Sequence, residues 1–204
     1  MKTKHLLLLT LYLIATPFLL HAQQFDAGFR AGVSASQISG DRLAGYNKPG
    51  IYAGIFTSID INEKSRITLE MNYVEKGSRK LAKPDEGIYN SYKLMLNYAE
   101  VPVTYQYFIN ENLSFEAGPS FGVLLKRTNN EEDENGILSD TRPFRKYELA
   151  INSSINYWFN ENWAFSIRHS ESIIPVRKHD SGATYWFNRG QHLNVLRFIA
   201  TYKL

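Results

Sequence analysis

Apolar and polar residues alternate along most of this chain with a period of two. From Phe25 to Ala35 the odd positions are Phe25, Ala27, Phe29, Ala31, Val33 and Ala35, and the even ones are polar or very small. The same parity returns at 66 to 73, where Ile67, Leu69, Met71 and Tyr73 oppose Arg66, Thr68, Glu70 and Asn72. It returns again at 113 to 123, where Leu113, Phe115, Ala117, Phe121 and Val123 oppose Ser114, Glu116, Gly118, Ser120 and Gly122. A strict period of two over such lengths predicts β-strands with two unlike faces. Eight such segments are present, at about 25–38, 51–60, 66–79, 92–108, 113–127, 145–159, 162–175 and 190–203. An even number of strands returns both termini to one side. In the fourth segment Leu94 and Leu96 share parity with Glu100 while Val101 and Val103 do not, which predicts a bulge.

The connections are of two kinds. Asp60-Ile61-Asn62-Glu63-Lys64-Ser65, Phe108-Ile109-Asn110-Glu111-Asn112-Leu113 and Trp158-Phe159-Asn160-Glu161-Asn162-Trp163 form one recurring short connection. Asn there is turn chemistry, because its side chain bonds its own backbone and it tolerates left-handed geometry. Long polar segments at 39–50, 80–91, 128–144 and 176–189 separate these hairpins. Tight turns at one end and long loops at the other predict an all-β, eight-stranded antiparallel up-and-down transmembrane β-barrel.

Two kinds of eight-stranded barrel must be told apart. In a soluble periplasmic ligand-binding barrel the apolar face lines a cavity, whereas in a membrane barrel it meets lipid. Tyr105, Tyr107, Phe115, Tyr157, Phe159, Trp163 and Phe165 lie on the apolar face beside the tight turns, as an interfacial aromatic girdle would. The polar face carries Arg30, Arg66, Glu70, Glu100, Glu116, Glu148, Arg168 and Arg197 among glycines and serines. These favour the membrane reading. Charges of both signs in a narrow lumen must neutralise one another, so a bore plugged by ion pairs is expected rather than an open channel. A narrow proton or ion path through the paired groups is the alternative.

Lys2 and Lys4 precede an apolar stretch from Leu6 to Leu20, and Leu20-His21-Ala22 offers a small residue at the cleavage position. Residues 1–22 are therefore expected to be a secretory signal peptide and 23–204 a single outer membrane β-barrel domain. The formal charge of +3 falls to about +1 without the two leader lysines, and acids and bases intermix, so no nucleic-acid surface is expected. The chain has no cysteine, which excludes disulfides, thiolate metal sites and a lipidated cysteine.

Tyr98-Ala99-Glu100-Val101-Pro102-Val103 resembles the Tyr-x-Glu-Ile-Pro-Leu strand of the PorT-like outer membrane β-barrel proteins of Bacteroidetes. Residues 28–33, 69–77 and 116–122 are similar to that family's first, third and fifth strands. The resemblance implies a signal-directed outer-membrane barrel, with a possible link to secretion. Tyr98, Glu100 and Pro102 are the motif positions. Glu100 is expected to face the lumen as partner for an Arg or Lys, and Pro102 to remove a ladder donor. The last strand ends Ala200-Thr201-Tyr202-Lys203-Leu204 without a terminal aromatic, though Tyr202 and Leu204 keep the outward parity for recognition by the barrel-assembly machinery.

Arg168-His169-Ser170-Glu171 is where a lipid-modifying enzyme, such as a lipid A deacylase, would keep His, Ser and an acid. Adjacent His169 and Ser170 project to opposite faces of a regular strand, so they cannot pair as base and nucleophile. No enzyme activity is expected. His179 and His192 read as rim residues. The run Glu131-Glu132-Asp133-Glu134, followed by Asn135-Gly136, lacks the ligand spacing of a calcium loop and reads as a solvated extracellular segment. Asn152-Ser153-Ser154 matches a glycosylation pattern by chance. No metal and no cofactor are expected. The partners expected are outer membrane lipids and lipopolysaccharide, the barrel-assembly machinery, and a protein bound through the long loops.

Overall fold

The structure is a computed structural model that describes residues 25–41, 43, 45–125, 131–138, 142–178 and 190–204. The expected signal peptide lies outside the described residues, as does His179. Eight long strands form the wall: β1 (Phe25–Ser39), β2 (Lys48–Asn62), β3 (Ser65–Lys80), β4 (Tyr92–Phe108), β5 (Leu113–Leu124), β8 (Tyr147–Trp158), β9 (Trp163–Ser172) and β10 (His192–Lys203). Each pairs antiparallel with its neighbours, and β1 pairs with β10, so the sheet closes on itself. Closure leaves no wall strand with an open edge.

The three tight turns share one device. The backbone N–H of Lys64, Asn112 and Asn162 donates to the side-chain oxygen of Asn62, Asn110 and Asn160, at 2.9, 3.0 and 3.0 Å. Both chain ends of the barrel lie at this end, where Gly28 pairs with Lys203. At the other end β3 and β4 run 16 and 17 residues, longer than the ~9–11 that cross a membrane, and so stand above it.

The structure differs from the sequence expectations in three places. No bulge interrupts β4: its pairing with β3 keeps one register from Ser65↔Tyr107 to Lys80↔Tyr92. Leu94, Leu96, Tyr98, Glu100, Pro102 and Thr104 all point inward, so the shift in polarity marks a change in what fills the bore, with strand phase unbroken. The expected loop 128–144 contains a small hairpin, β6 (Glu131–Asp133) and β7 (Gly136–Ile137), that extends the sheet from β4. Glu134-Asn135 is its two-residue turn, where the Asn135 N–H donates to Asp133 Oδ1 at 2.8 Å and Gly136 opens β7 opposite Asp133. Finally, β2 starts at Lys48, inside the segment expected as the loop 39–50.

Outward positions are the apolar ones. Met71 is 62% exposed and Phe115 46%, whereas Glu70 and Glu116 are each 1% exposed. In water such a surface would be costly; facing hydrocarbon it is what a barrel requires.

Candidate functional site

The bore holds the candidate site, and its contents fall into layers that follow position along the strands. Nearest the tight turns, Arg66 contacts Asp60 at 2.6 Å and Asp26 at 2.9 Å, and Lys203 reaches Asp26 at 3.5 Å. The Arg66 guanidinium also lies over an aromatic face, 5.6 Å from the Phe108 ring centroid.

Mid-bore, two arginines and two glutamates form a neutral quartet. Arg168 on β9 donates two hydrogen bonds to Glu70 on β3, at 3.0 and 2.8 Å, and one to Glu116 on β5 at 3.0 Å. Arg30 on β1 pairs with both glutamates, contacting Glu116 at 3.3 Å. Tyr52 and Asn72 donate to Glu70 at 2.9 and 2.8 Å, and Thr104 to Glu116 at 2.5 Å. Such saturation is what makes buried charge tolerable, since a carboxylate stripped of water needs donors for its lone pairs.

One layer further, Lys76 pairs with Glu100 and, at 2.7 Å, with Glu148, while Arg197 contacts Glu100 at 2.9 Å. Lys76 also sits 5.0 Å from the Tyr98 ring centroid and Arg197 5.3 Å from that of Tyr52. Gly122 makes room for this layer. It pairs between Glu100 and Glu148, and a Cβ there would meet Glu148 Oε2 and Tyr98 Cδ1, each at 3.3 Å.

Above the second quartet the bore turns apolar. Ile38, Val74, Leu94, Leu96, Leu124 and Leu193 pack together with Phe144 and Val176 from the loop end. An inward apolar layer was not expected from the alternation. Beyond it, Arg177 contacts Glu131 at 2.5 Å, Gln191 at 2.8 Å and the Phe144 ring at 4.2 Å, and Tyr92 donates to Glu131 at 2.8 Å. Glu131 is therefore buried, 3% exposed, and the acidic run is not wholly solvated: a buried arginine and the β6–β4 pairing hold its first residue inside.

All eight charged residues singled out from the sequence, Arg30, Arg66, Glu70, Glu100, Glu116, Glu148, Arg168 and Arg197, lie buried on the inward face. Sequence reading passed over Lys76, Asp26 and Asp60. Lys76 and Asp26 lie on the polar parity of their strands, so their signal was present. Of the motif positions, Tyr98 is buried beside Lys76, Glu100 meets Lys76 and Arg197, and Pro102 sits inward where the β3–β4 pairing is interrupted between Leu69↔Val103 and Asn72↔Glu100.

The enzyme constellation is not assembled. Ser170 points into the bore, 1% exposed and without a hydrogen-bond partner among the described residues, whereas His169 lies on the outer wall. His169 Nε2 meets Asn194 Oδ1 at 2.5 Å, and Tyr46 donates to the same oxygen at 3.1 Å. His192 Nδ1 lies 2.7 Å from the Ser172 carbonyl. Among the described residues no group of three or more His, Cys, Asp or Glu side chains is arranged to hold a metal.

A family model described as outer membrane protein beta-barrel domain matches residues 21–177. The chain belongs to that family. No curated protein matches it in sequence. Among solved structures, Ail, the attachment invasion locus protein of Yersinia pestis, is similar with a TM-score of 0.52 at 12% identity, over 89% of this chain and 99% of its own. Neisserial surface protein A gives 0.52 at 9% identity, over 87% of this chain and 97% of its own. At such identities the likeness concerns the fold. This family member is a small eight-stranded barrel of the outer membrane, and a soluble periplasmic carrier is not the favoured reading.

Proposed function

We propose that the chain is a non-enzymatic, non-conducting outer-membrane barrel whose filled bore makes a rigid mount for its extracellular segments, 39–50, 80–91, 128–144 and 176–189. Those segments engage a protein partner at the cell surface, and lipopolysaccharide and lipids are the lateral partners. The reading rests on one observation: two neutral ion-pair quartets surmounted by an apolar layer fill the bore. An ion entering from either side would have to displace paired charges or cross a dry layer, and both are costly. Incorporation of the refolded full chain into planar bilayers tests this. A flat current trace is expected, and reproducible unitary steps would contradict it.

A second reading follows from the PorT-like resemblance at Tyr98, Glu100 and Pro102, which implies a link to secretion. It favours a role for the barrel beside an export apparatus. Comparison of secreted protein from cells with and without the chain tests it, and an unchanged profile would end it.

A further inference from the structure

Resting on the reading of lipopolysaccharide as a lateral partner, we propose that the outer wall at the β3–β4 rim carries a binding site for the phosphate groups of an outer-leaflet lipid, formed by Arg79 and Lys93. Arg79 on β3 and Lys93 on β4 stand directly opposite each other in the ladder. Like charges so placed repel, and nothing in the fold requires them there. Both are on the odd, outward parity of their strands, continuing the rows that carry Leu69 and Met71 on β3 and Val101 and Val103 on β4.

Local acids leave the cluster incompletely neutralised. Arg79 has no hydrogen-bond or ion-pair partner among the described residues, and Lys93 has one loose contact, 3.6 Å to the half-exposed Glu132. Among the described residues the two outward cations thus share that single loose contact to Glu132.

Height selects the ligand. Arg79 lies twelve positions beyond Ile67, which pairs with Tyr105 of the aromatic girdle. At ~3.3 Å per residue and a tilt of ~40°, that is roughly 30 Å above the girdle, against an apolar band ~25 Å tall. The cluster therefore stands just past the hydrocarbon, among the headgroups, with its aliphatic stems against lipid. A guanidinium fork beside an ammonium group suits phosphate oxygens.

The test uses the full chain refolded in zwitterionic detergent, with bound lipid counted by native mass spectrometry. Bis-phosphorylated lipid A should bind the wild type, and the Arg79→Gln, Lys93→Gln double variant should bind it about ten-fold more weakly or worse. Lipid A stripped of phosphate should bind both equally weakly, and millimolar inorganic phosphate should not displace the phosphorylated lipid. Lys83→Gln, which removes a cation already neutralised by Glu86, should leave binding unchanged. Heat-modifiable gel migration should be the same in every variant, because the double change relieves repulsion. Equal binding by wild type and double variant, equal binding of the dephosphorylated lipid to the wild type, displacement by free phosphate, or an equal loss in Lys83→Gln would each overturn the proposal.

Discussion

Arg168 grips Glu70 with two guanidinium nitrogens, at 3.0 and 2.8 Å, across the bore between strands 98 residues apart in sequence. β9 and β3 are not neighbours in the sheet, so this contact ties opposite sides of the barrel together. Both side chains are fully enclosed, and each has further charged partners in Arg30 and Glu116.

Glu70→Gln should therefore be severe. It keeps shape and removes one negative charge from a quartet that is neutral only when complete. Breaking a buried pair from one side costs roughly 3–5 kcal/mol. The urea midpoint of the refolded barrel in detergent should fall accordingly. Glu70→Leu combined with Arg168→Met, which removes a charge of each sign, should be less damaging than Glu70→Gln alone. A midpoint unaffected by Glu70→Gln would mean the quartet carries no stability.

Arg177 is the keystone of the loop end. It joins Glu131 of β6 at 2.5 Å, Gln191 at 2.8 Å and the Phe144 ring. Arg177→Ala would strand Glu131 beneath the hairpin and release β6 and β7 from the rim. Limited proteolysis within 131–138 should accelerate while the protected barrel core stays intact. Cleavage at the wild-type rate would show that the β4–β6 pairing holds the hairpin unaided.

How much of this was legible beforehand follows from where the physics is local. Alternation on β1, β3 and β5 is set by the pleat, so the inward row Arg66, Thr68, Glu70 could be read from the chain, as could the Asn62, Asn110 and Asn160 turns. The partnership of Lys76 with Glu148 spans 72 residues and depends on strand stagger, which no local pattern encodes. β4 misled for a different reason. Leu94 and Leu96 are apolar and inward because the upper bore is a small soluble-type core, so polarity changed while phase did not. Glu131 looked solvated because its partner Arg177 lies in another loop.

Asp41 gives the rim a pH dependence. Burial raises its carboxyl pKa above the ordinary aspartate value, despite hydrogen bonds from Ser78 and the Leu43 amide. The native state therefore binds the proton more tightly than the unfolded chain does. Its contribution is present below the ordinary aspartate range and is lost as pH rises through the higher native value. Asp41→Asn should melt close to wild type in acid and above it at neutral pH. A gap that closes with rising pH would contradict the sign.

The cysteine-free sequence allows the sealed bore to be probed at a single position. Ser170, enclosed at 1% exposure next to Arg168, is replaced by cysteine in the full chain and exposed to a charged thiol reagent from both sides of a lipid vesicle. No reaction is expected until the barrel is unfolded, while Ile137→Cys on the exposed hairpin reacts at once. Rapid labelling of position 170 in the folded barrel would show water and ions reaching mid-bore, and would contradict the sealed bore.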